Sequence, residues 1–193
     1  MQKRIKNAFQ DARNVLTEFI NKDNINIMGE ISENLAKCFN NQGKILICGN
    51  GGSNCDAVHF AEEFTGRYRN DRKPLPVISL SDSSHITCVG NDYGFEEIFA
   101  RAVRAYGFKG DILIAISTSG NSPNISKAIS MAQELDMLTV GLLGKDGGKI
   151  KGMCDHELIV QGETTDRIQE VHMTILHILI EMTERLLFPR NYE

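Results

Sequence analysis

The most constraining feature of the sequence is an apolar strand that ends in a serine-rich loop. The run from Ile112 to Ile116 has no polar alternation, which is typical of a strand covered on both faces in a parallel sheet. Residues 117–122, Ser-Thr-Ser-Gly-Asn-Ser, follow it, and Ser122 with Pro123 is a good start for a helix. Because the open amides of a helix N-terminus attract anions, the loop predicts a phosphate site, although an ordinary capped turn has the same composition.

A second unit of the same kind lies earlier in the chain. Residues 44–48 form a short apolar run that ends in Gly-Asn-Gly-Gly-Ser at 49–53, and residues 54–65 have a helical pattern. The loop lacks the Gly-Lys-Ser/Thr ending of a Walker loop. It is also a poor dinucleotide fingerprint, because Asn54 stands where the third glycine or alanine belongs.

Strands and helices alternate along the middle of the chain. Further strands are predicted at 76–80, 138–142 and 157–160. The intervening segments are predicted as a short helix at 85–89, a turn at 90–94, a helix at 96–106 and one helical turn at 149–153. The alternation predicts an α/β fold, a doubly wound parallel sheet sandwich, in which ligands bind beyond the carboxyl ends of the strands. Both loops lie at such ends.

The two ends of the chain are predicted to be helical. Apolar residues repeat at helical spacing on either side of a polar turn at 21–24, which predicts an N-terminal helical hairpin over residues 1–41. Residues 42–193 are expected to form the α/β core and a long C-terminal helix from Thr165 onwards. No linker marks a second domain, so we expect a single domain over residues 1–193.

Composition narrows the class of protein. The formal net charge of −4 gives no electrostatic footprint for nucleic acid. The five cysteines are scattered and form no CxxC pair, which favours reduced thiols in a cytoplasm. No stretch approaches the roughly 20 apolar residues of a membrane span. We therefore expect a cytoplasmic protein with no nucleic acid or membrane partner.

One face of the helix after Ser53 carries groups capable of chemistry. Asp56, His59, Glu63 and Arg67 fall within one arc of roughly 80° at helical spacing. The opposite side is predicted to be core and consists of Ala57, Ala61 and Phe64. A histidine and a glutamate four residues apart can bind one ion or share one substrate, but an exposed pair with a purely local contact is the simpler interpretation.

The last helix has two apolar stripes. One is predicted to be core and includes His172 as a packed histidine; its other members are Ile168, Val171, Ile175, Leu179, Met182 and Leu186. The second consists of Asp166, Gln169, Met173, His177 and Ile180. We expect it to meet another subunit or the N-terminal hairpin. The polar groups of this stripe need partners. The partners are either structural, or they are a metal ion or substrate that the face with His59 and Glu63 also binds.

Four motifs along the chain together resemble those of bacterial phosphoheptose isomerases, a family with the sugar isomerase (SIS) fold. They are Ile-Cys-Gly-Asn-Gly-Gly-Ser at 47–53, Asp-Ala-Val-His-Phe-Ala-Glu-Glu at 56–63, Ile-Ser-Thr-Ser-Gly-Asn-Ser at 116–122 and Asp-Arg-Ile-Gln-Glu-Val-His at 166–172. The likeness runs over nearly the whole chain, and four motifs in the same order make it specific.

The resemblance implies an aldose–ketose isomerase. The implied reaction converts D-sedoheptulose 7-phosphate to D-glycero-D-manno-heptose 7-phosphate by proton transfer through an enediol. This is the first step of ADP-heptose synthesis for lipopolysaccharide core or another surface glycan such as a capsule. The family also implies a homotetramer with sites at subunit interfaces and one Zn²⁺ per subunit.

The resemblance also implies roles for individual residues. Glu63 and His177 match the acid/base pair. The implied zinc ligands are His59, Glu63, Gln169 and His177. The implied substrate contacts are Asn50, Gly51, Gly52, Ser53, Glu63, Arg67, Asn91, Asp92, Ser117, Thr118, Ser119, Ser122, Asp166 and Gln169.

Two other functions are compatible with the same phosphate loop. One is a non-catalytic SIS module that binds a sugar phosphate or a partner protein, of the replication-initiator-associating type. The other is an SIS enzyme acting on a hexose phosphate or an amino sugar phosphate. The presence of the complete metal and acid/base set favours an enzyme over a binding module.

Overall fold

A parallel sheet of five strands forms the centre of the fold in the computed structural model, which describes all residues from Met1 to Glu193. The strands are β1 (Ile45–Gly49), β2 (Val77–Ser79), β3 (Ile112–Ser117), β4 (Leu138–Gly144) and β5 (His156–Val160). The α-helices are α1 (Gln2–Phe19), α2 (Lys22–Asn40), α3 (Gly52–Thr65), α4 (Ser83–Asp92), α5 (Ile98–Tyr106), α6 (Pro123–Glu134) and α7 (Thr165–Leu187). Short 3-10 turns lie at 95–97, 148–150 and 189–192.

The strand order places both predicted loops at one crevice. The order is β2-β1-β3-β4-β5, and every neighbouring pair is parallel. The chain moves outward in opposite directions from β1 and β3, so the topological switch point lies between these two strands. Gly49 pairs with Ile116 at their carboxyl ends, so the loops after β1 and β3 begin side by side. The predicted doubly wound α/β fold is confirmed.

The two faces of the sheet are covered by different helices. Ile45 and Ile47 of β1 pack against α3, α7 and the N-terminal hairpin. Leu46 and Cys48, which alternate with them, pack against α4, α5 and α6. The central strands are buried on both faces, which explains their uninterrupted apolar sequences. This arrangement leaves the carboxyl edge of the sheet to the polar loops.

Some element boundaries differ from the prediction. Helix α4 extends through Asp92, so residues 90–92 are helical and the predicted turn is confined to Tyr93 and Gly94. The helix begins early because the Asp82 side chain accepts a hydrogen bond of 2.7 Å from the His85 amide. Similarly, Asn21 caps α2, which makes the predicted turn at 21–24 much shorter. Helix α3 ends at Thr65, so Arg67 lies beyond the face predicted for it.

The helical hairpin and the long last helix are confirmed. Helix α7 is buried along its first stripe, including Ile168 and Leu179, whereas Leu186 at its end is 52% exposed. Helix α1 buries only Phe19, and Phe9 in the same apolar pattern is 74% exposed. None of the helices combines the length and the apolar content needed to traverse a bilayer.

His172 is a buried core histidine, as predicted. Its side chain is inaccessible to solvent, and Nε2 lies 3.1 Å from the carbonyl oxygen of Leu143. Because a carbonyl only accepts, Nε2 carries the proton and donates. Burial lowers the pKa of His172 to about 4, partly offset by the bond to Leu143. The folded protein therefore holds a neutral imidazole through the mildly acidic range.

Acidification is expected to destabilise the fold through His172. An unfolded chain protonates this histidine below about pH 6.5, whereas the folded chain resists until about pH 4. Stability should therefore fall as the pH drops between these values, by about 3 kcal/mol in total. Urea unfolding at several pH values should show a shallower dependence for His172→Gln than for the unsubstituted protein. Equal slopes would contradict this assignment.

Candidate active site

The serine-rich loop connects the carboxyl end of β3 to the N-terminus of α6. Ser122 occupies the N-cap position and Pro123 the first turn, as predicted, but the Ser122 side chain caps no helix amide. Its hydroxyl lies 3.2 Å from the hydroxyl of buried Ser117, across the loop. The helix N-terminus and the loop hydroxyls thus lie together, as an anionic phosphate requires.

The β4–β5 connection holds this loop in its conformation. Gly120 has φ of +63°, and a Cβ there would lie 2.0 Å from the carbonyl oxygen of Gly147. The Gly120 carbonyl accepts a hydrogen bond of 3.0 Å from the Ile150 amide. Asn121 Oδ1 accepts another of 3.2 Å from the Lys149 amide. Only glycine meets both the backbone and the space requirements at position 120.

A pair of asparagines joins the two loops across the switch point. Asn50 Nδ2 donates to Asn124 Oδ1 at 2.9 Å, and Asn124 Nδ2 donates to Asn50 Oδ1 at 2.8 Å. Asn124 is buried in the first turn of α6. Asn50 was predicted to contact substrate, and its side chain is engaged with Asn124 in this structure. The sequence analysis missed Asn124, whose only signal is a polar residue beside the apolar face of α6.

The acid/base candidates meet where α3 and α7 pack together. His59 Nε2 lies 3.4 Å from His177 Nε2 and 3.4 Å from Glu63 Oε1. Glu63 Oε2 lies 3.7 Å from His177 Nε2. The Glu63 side chain is 13% exposed, and those of His59 and His177 are 44% and 37% exposed. The simpler interpretation of His59 and Glu63 as an isolated local pair is therefore wrong, because α7 adds a third ligand-type group.

These three groups lie close enough together to hold one metal ion, with ligand atoms within 4.8 Å of one another. Ligand atoms about 2.0–2.1 Å from a tetrahedral zinc ion stand about 3.3 Å from one another. The two imidazole nitrogens lie 3.4 Å apart, His59 lies 3.4 Å from Glu63 Oε1, and His177 lies 3.7 Å from the other oxygen, Oε2. Glu63 Oε2 is buried and has no hydrogen-bond partner, which is costly for a carboxylate oxygen unless a metal ion or a substrate contacts it. Two imidazoles and a carboxylate are a common zinc ligand set.

Gln169 contacts the beginning of α3 rather than the His59–Glu63 turn. A Cβ on Gly52 would lie 2.5 Å from Gln169 Nε2, so the amide sits against the first turn of α3. Gln169 precedes His177 by eight residues, about 12 Å along the helix axis. The structure thus brings three of the four predicted metal ligands together, and the role of Gln169 as the fourth stays a prediction.

The remaining predicted substrate contacts are more dispersed. Asn91 and Asp92 are exposed at the end of α4 and hydrogen-bond to each other at 2.8 Å. Arg67 is exposed beyond α3. Asp166 is exposed in the first turn of α7, and a hydrogen bond from the Thr164 hydroxyl holds its pKa below the usual range. Their roles as substrate contacts stay predictions.

Tyr68 is a neighbour of the candidate acid/base pair that no sequence pattern indicated. Its ring stacks on His177 with centroids 6.1 Å apart and an interplanar angle of 26°. The Arg69 guanidinium lies 5.0 Å from the Tyr68 ring and forms an ion pair of 2.9 Å with Glu181 of α7. No periodic pattern marks Tyr68, because it lies in the irregular segment that follows α3.

Comparison with known proteins gives a consistent assignment. The SIS domain family matches residues 8–144. A phosphoheptose isomerase from Fusobacterium nucleatum subsp. nucleatum is 63% identical over 163 residues, which are 84% of each chain. One from Escherichia fergusonii is 51% identical over 183 residues, 94% of this chain and 95% of the relative. The solved phosphoheptose isomerase from Neisseria gonorrhoeae superposes with a TM-score of 0.89 at 41% identity, covering 95% of this chain and 98% of that one. With this level of identity added to the SIS fold and the histidine–glutamate cluster, the chain belongs to the phosphoheptose isomerase family.

Proposed function

We propose that the protein converts D-sedoheptulose 7-phosphate to D-glycero-D-manno-heptose 7-phosphate. The observation that carries the proposal is the convergence of His59, Glu63 and His177 in a member of the phosphoheptose isomerase family. A module that only binds a sugar phosphate needs the serine-rich loop but has no use for this cluster. The binding-module alternative is therefore not favoured.

The reaction requires a base, an acid and stabilisation of charge on oxygen. A proton leaves the carbon next to the carbonyl, an enediol forms, and the proton returns to the adjacent carbon. We assign the carbon-bound proton to the Glu63 carboxylate, whose buried oxygen Oε2 has no other partner. We assign proton transfer at the substrate oxygens to the His177 imidazole, which lies beside Glu63 and is partly exposed.

The serine-rich loop fixes the other end of the substrate. Ser117, Thr118, Ser119 and Ser122 supply hydroxyls to the terminal phosphate, and α6 supplies the positive end of its dipole. Because the phosphate is held in place, the sugar chain is oriented and its reacting carbons lie at a fixed position relative to Glu63 and His177.

We infer that His59, Glu63 and His177, with Gln169 as a fourth ligand, hold one Zn²⁺ per subunit. When bound, this ion would polarise the carbonyl and the neighbouring hydroxyl as a Lewis acid. Glu63 and His177 then have two tasks each, as ligand and as proton carrier. The carboxylate has two oxygens, of which Oε1 faces His59 and Oε2 faces His177, so the two tasks of Glu63 can be divided between them.

The proposal is tested by incubating the purified protein with sedoheptulose 7-phosphate and following aldose formation by NMR. Turnover that is lost with a chelator and restored with zinc is expected. Turnover that persists after complete metal removal would contradict the zinc assignment alone. A folded, zinc-loaded protein without turnover would refute the isomerase and favour the binding module.

We further propose a homotetramer, supported by an uncovered apolar groove. The groove has a volume of about 490 Å³ and lies between the hairpin and α7. Its apolar lining includes Phe19, Ile25, Met28 and Ile178, and Ile25 and Ile178 are 58% and 40% exposed. Exposed apolar surface of this kind marks protein contacts. A second copy of the chain would cover it and would also bury the outer face of α1.

Replacing Ile178 by aspartate is expected to break the tetramer into smaller species. The substitution places a charge in a surface that must lose its water on assembly. Light scattering coupled to size-exclusion chromatography measures the mass directly. Tyr106→Asp is the matched control, because Tyr106 is also about half exposed but lies on α5, away from the groove. An unchanged mass for Ile178→Asp would contradict this interface.

The cellular setting is also a proposal. We infer one SIS domain over residues 1–193, located in the cytoplasm. Its product would enter ADP-heptose synthesis for lipopolysaccharide core or another surface glycan. The identities to phosphoheptose isomerases support this placement.

A further inference from the structure

The C-terminal segment after α7 docks back onto the connection between α3 and β2. Residues 189–192 form a 3-10 turn. Asn70 Nδ2 donates to the Asn191 carbonyl at 2.7 Å, and Asn191 Nδ2 donates to the Asp71 carbonyl at 3.1 Å. The Tyr192 ring lies under the Arg185 guanidinium at 4.5 Å. These contacts fix the segment although it belongs to no long helix or strand.

Tyr192 completes a buried ion pair. Its hydroxyl donates to Glu184 Oε2 at 2.7 Å, and Glu184 Oε1 accepts from Arg72 Nε at 2.7 Å. The side chains of Arg72 and Glu184 are each 1% exposed. Burial, with the bond to Glu184, raises the pKa of Tyr192 well above that of an ordinary tyrosine, so the hydroxyl keeps the proton that it donates. Both carboxylate oxygens of Glu184 are thus satisfied away from water.

The rest of the Arg72 guanidinium is bound to the end of α3. Nη2 donates to the Glu63 carbonyl at 2.6 Å. Nη1 donates to the Phe64 and Gly66 carbonyls at 2.8 and 2.9 Å. These carbonyls lack helical partners, and an arginine at a helix C-terminus can satisfy them. The backbone of Glu63 is therefore tied to Glu184 of α7 through one guanidinium.

This connection fixes the two helices that carry the acid/base pair. Glu63 lies on α3, and His177 lies two turns before Glu184 on α7. The Arg69–Glu181 ion pair joins the segment that follows α3 to α7 on the exposed side. Arg72 is the buried connection, and its carboxylate partner is held by Tyr192.

We propose that Tyr192 is a positioning residue for the Glu63–His177 pair, acting through Glu184 and Arg72. The step to catalysis rests on the proposed isomerase function, whereas the step to ligand geometry rests only on the proposed metal site. Without the hydroxyl, Glu184 loses one of its two bonds and Arg72 is held less firmly. The end of α3 then varies in position relative to α7, and Glu63 and His177 meet in the correct geometry less often.

The test compares Tyr192→Phe with Tyr106→Phe as a control. Tyr106 is 49% exposed at the end of α5, on the other face of the sheet. Cobalt(II) serves as the probe, since its visible absorption reports ligand geometry and its affinity is measured without turnover. We expect Tyr192→Phe to bind cobalt(II) about tenfold more weakly, the lower end of the loss caused by removing a direct partner of a metal ligand, because Tyr192 acts on Glu63 through Glu184 and Arg72. We expect kcat to fall by a similar factor with little change in KM.

The outcomes separate this inference from the proposed function. All measurements are made on fully folded protein. If Tyr192→Phe only lowered stability, its cobalt(II) affinity, its cobalt(II) spectrum and its kcat per folded molecule would be unchanged. That result would overturn the inference. If the unsubstituted protein turns over no heptulose phosphate, the isomerase proposal fails and the cobalt(II) measurement still decides the positioning role. Tyr192→Leu removes both the hydroxyl and the aromatic ring, so it should lower cobalt(II) affinity at least as much as Tyr192→Phe. A smaller loss in Tyr192→Leu would contradict the positioning role of the hydroxyl.

Discussion

Glu63→Gln is expected to lower kcat by about a thousandfold, because a well-placed general base contributes about 10²–10⁴ to the rate. The amide has almost the shape of the carboxylate but cannot accept the carbon-bound proton. Substrate incubated in deuterated water should consequently take up almost no deuterium at carbon. Phosphate binding should persist, since the serine-rich loop connects β3 to α6 and contains no residue of α3.

Glu62→Gln is the matched control for this experiment. Glu62 is the adjacent residue, carries the same group and is exposed, about 100° around α3 from Glu63. It should retain kcat close to that of the unsubstituted protein. Full hydrogen exchange in Glu63→Gln would show that another group moves the carbon-bound proton and would refute the assignment. Loss of exchange in both variants would point to a general electrostatic effect of the helix.

Arg72→Met is expected to produce the largest loss of stability, about 3–5 kcal/mol, because it leaves a buried carboxylate without its ionic partner. The Glu63 and Gly66 carbonyls lose the arginine that donates to them, and the Phe64 carbonyl keeps only the Leu75 amide. Urea unfolding at one fixed protein concentration measures the loss, and fixing the concentration matters for an oligomer. Arg104→Met removes an exposed arginine from α5 and should change stability by less than about 0.5 kcal/mol.

The double variant Arg72→Met, Glu184→Leu tests whether the loss of stability comes from the unpaired Glu184 carboxylate. Replacing both members of a buried ion pair with apolar residues removes the uncompensated charge and often restores stability. Recovery here should be partial, since the Tyr192 hydroxyl still lacks its acceptor and the Glu63 and Gly66 carbonyls still lack the arginine. If Arg72→Met alone were as stable as the unsubstituted protein, the Arg72–Glu184 pair would contribute nothing to the free energy of unfolding.

The sequence predicted elements well where one force acts along a continuous stretch. The apolar runs of β1 and β3 and the stripe of α7 each depend on burial alone, and periodicity reveals burial directly. Boundaries were less accurate where local hydrogen bonds compete. Asp82 starts α4 early and the helix continues through Asn91 and Asp92, residues that usually favour turns.

Partners distant in sequence were the hardest to predict. Periodicity placed His59 and Glu63 on one face and His177 on a stripe that needed partners, but it could not show that the two surfaces meet. The family resemblance supplied that link, and the distances of 3.4 to 3.7 Å are consistent with it. Neither approach indicated the Arg72–Glu184 pair, which joins positions 112 residues apart. Such contacts depend on how whole elements dock, and no local pattern encodes this.

The reciprocal asparagine pair between the loops after β1 and β3 has a consequence for sequence divergence. Each amide uses its donor and its acceptor on the other, so Asn124→Asp would set an oxygen of the new carboxylate against Asn50 Oδ1. A change at either position alone is therefore penalised, and tolerated changes require a matching change at the other. Positions 50 and 124 are expected to covary among homologous chains, whereas their exposed neighbours Gly51 and Pro123 are free of this coupling.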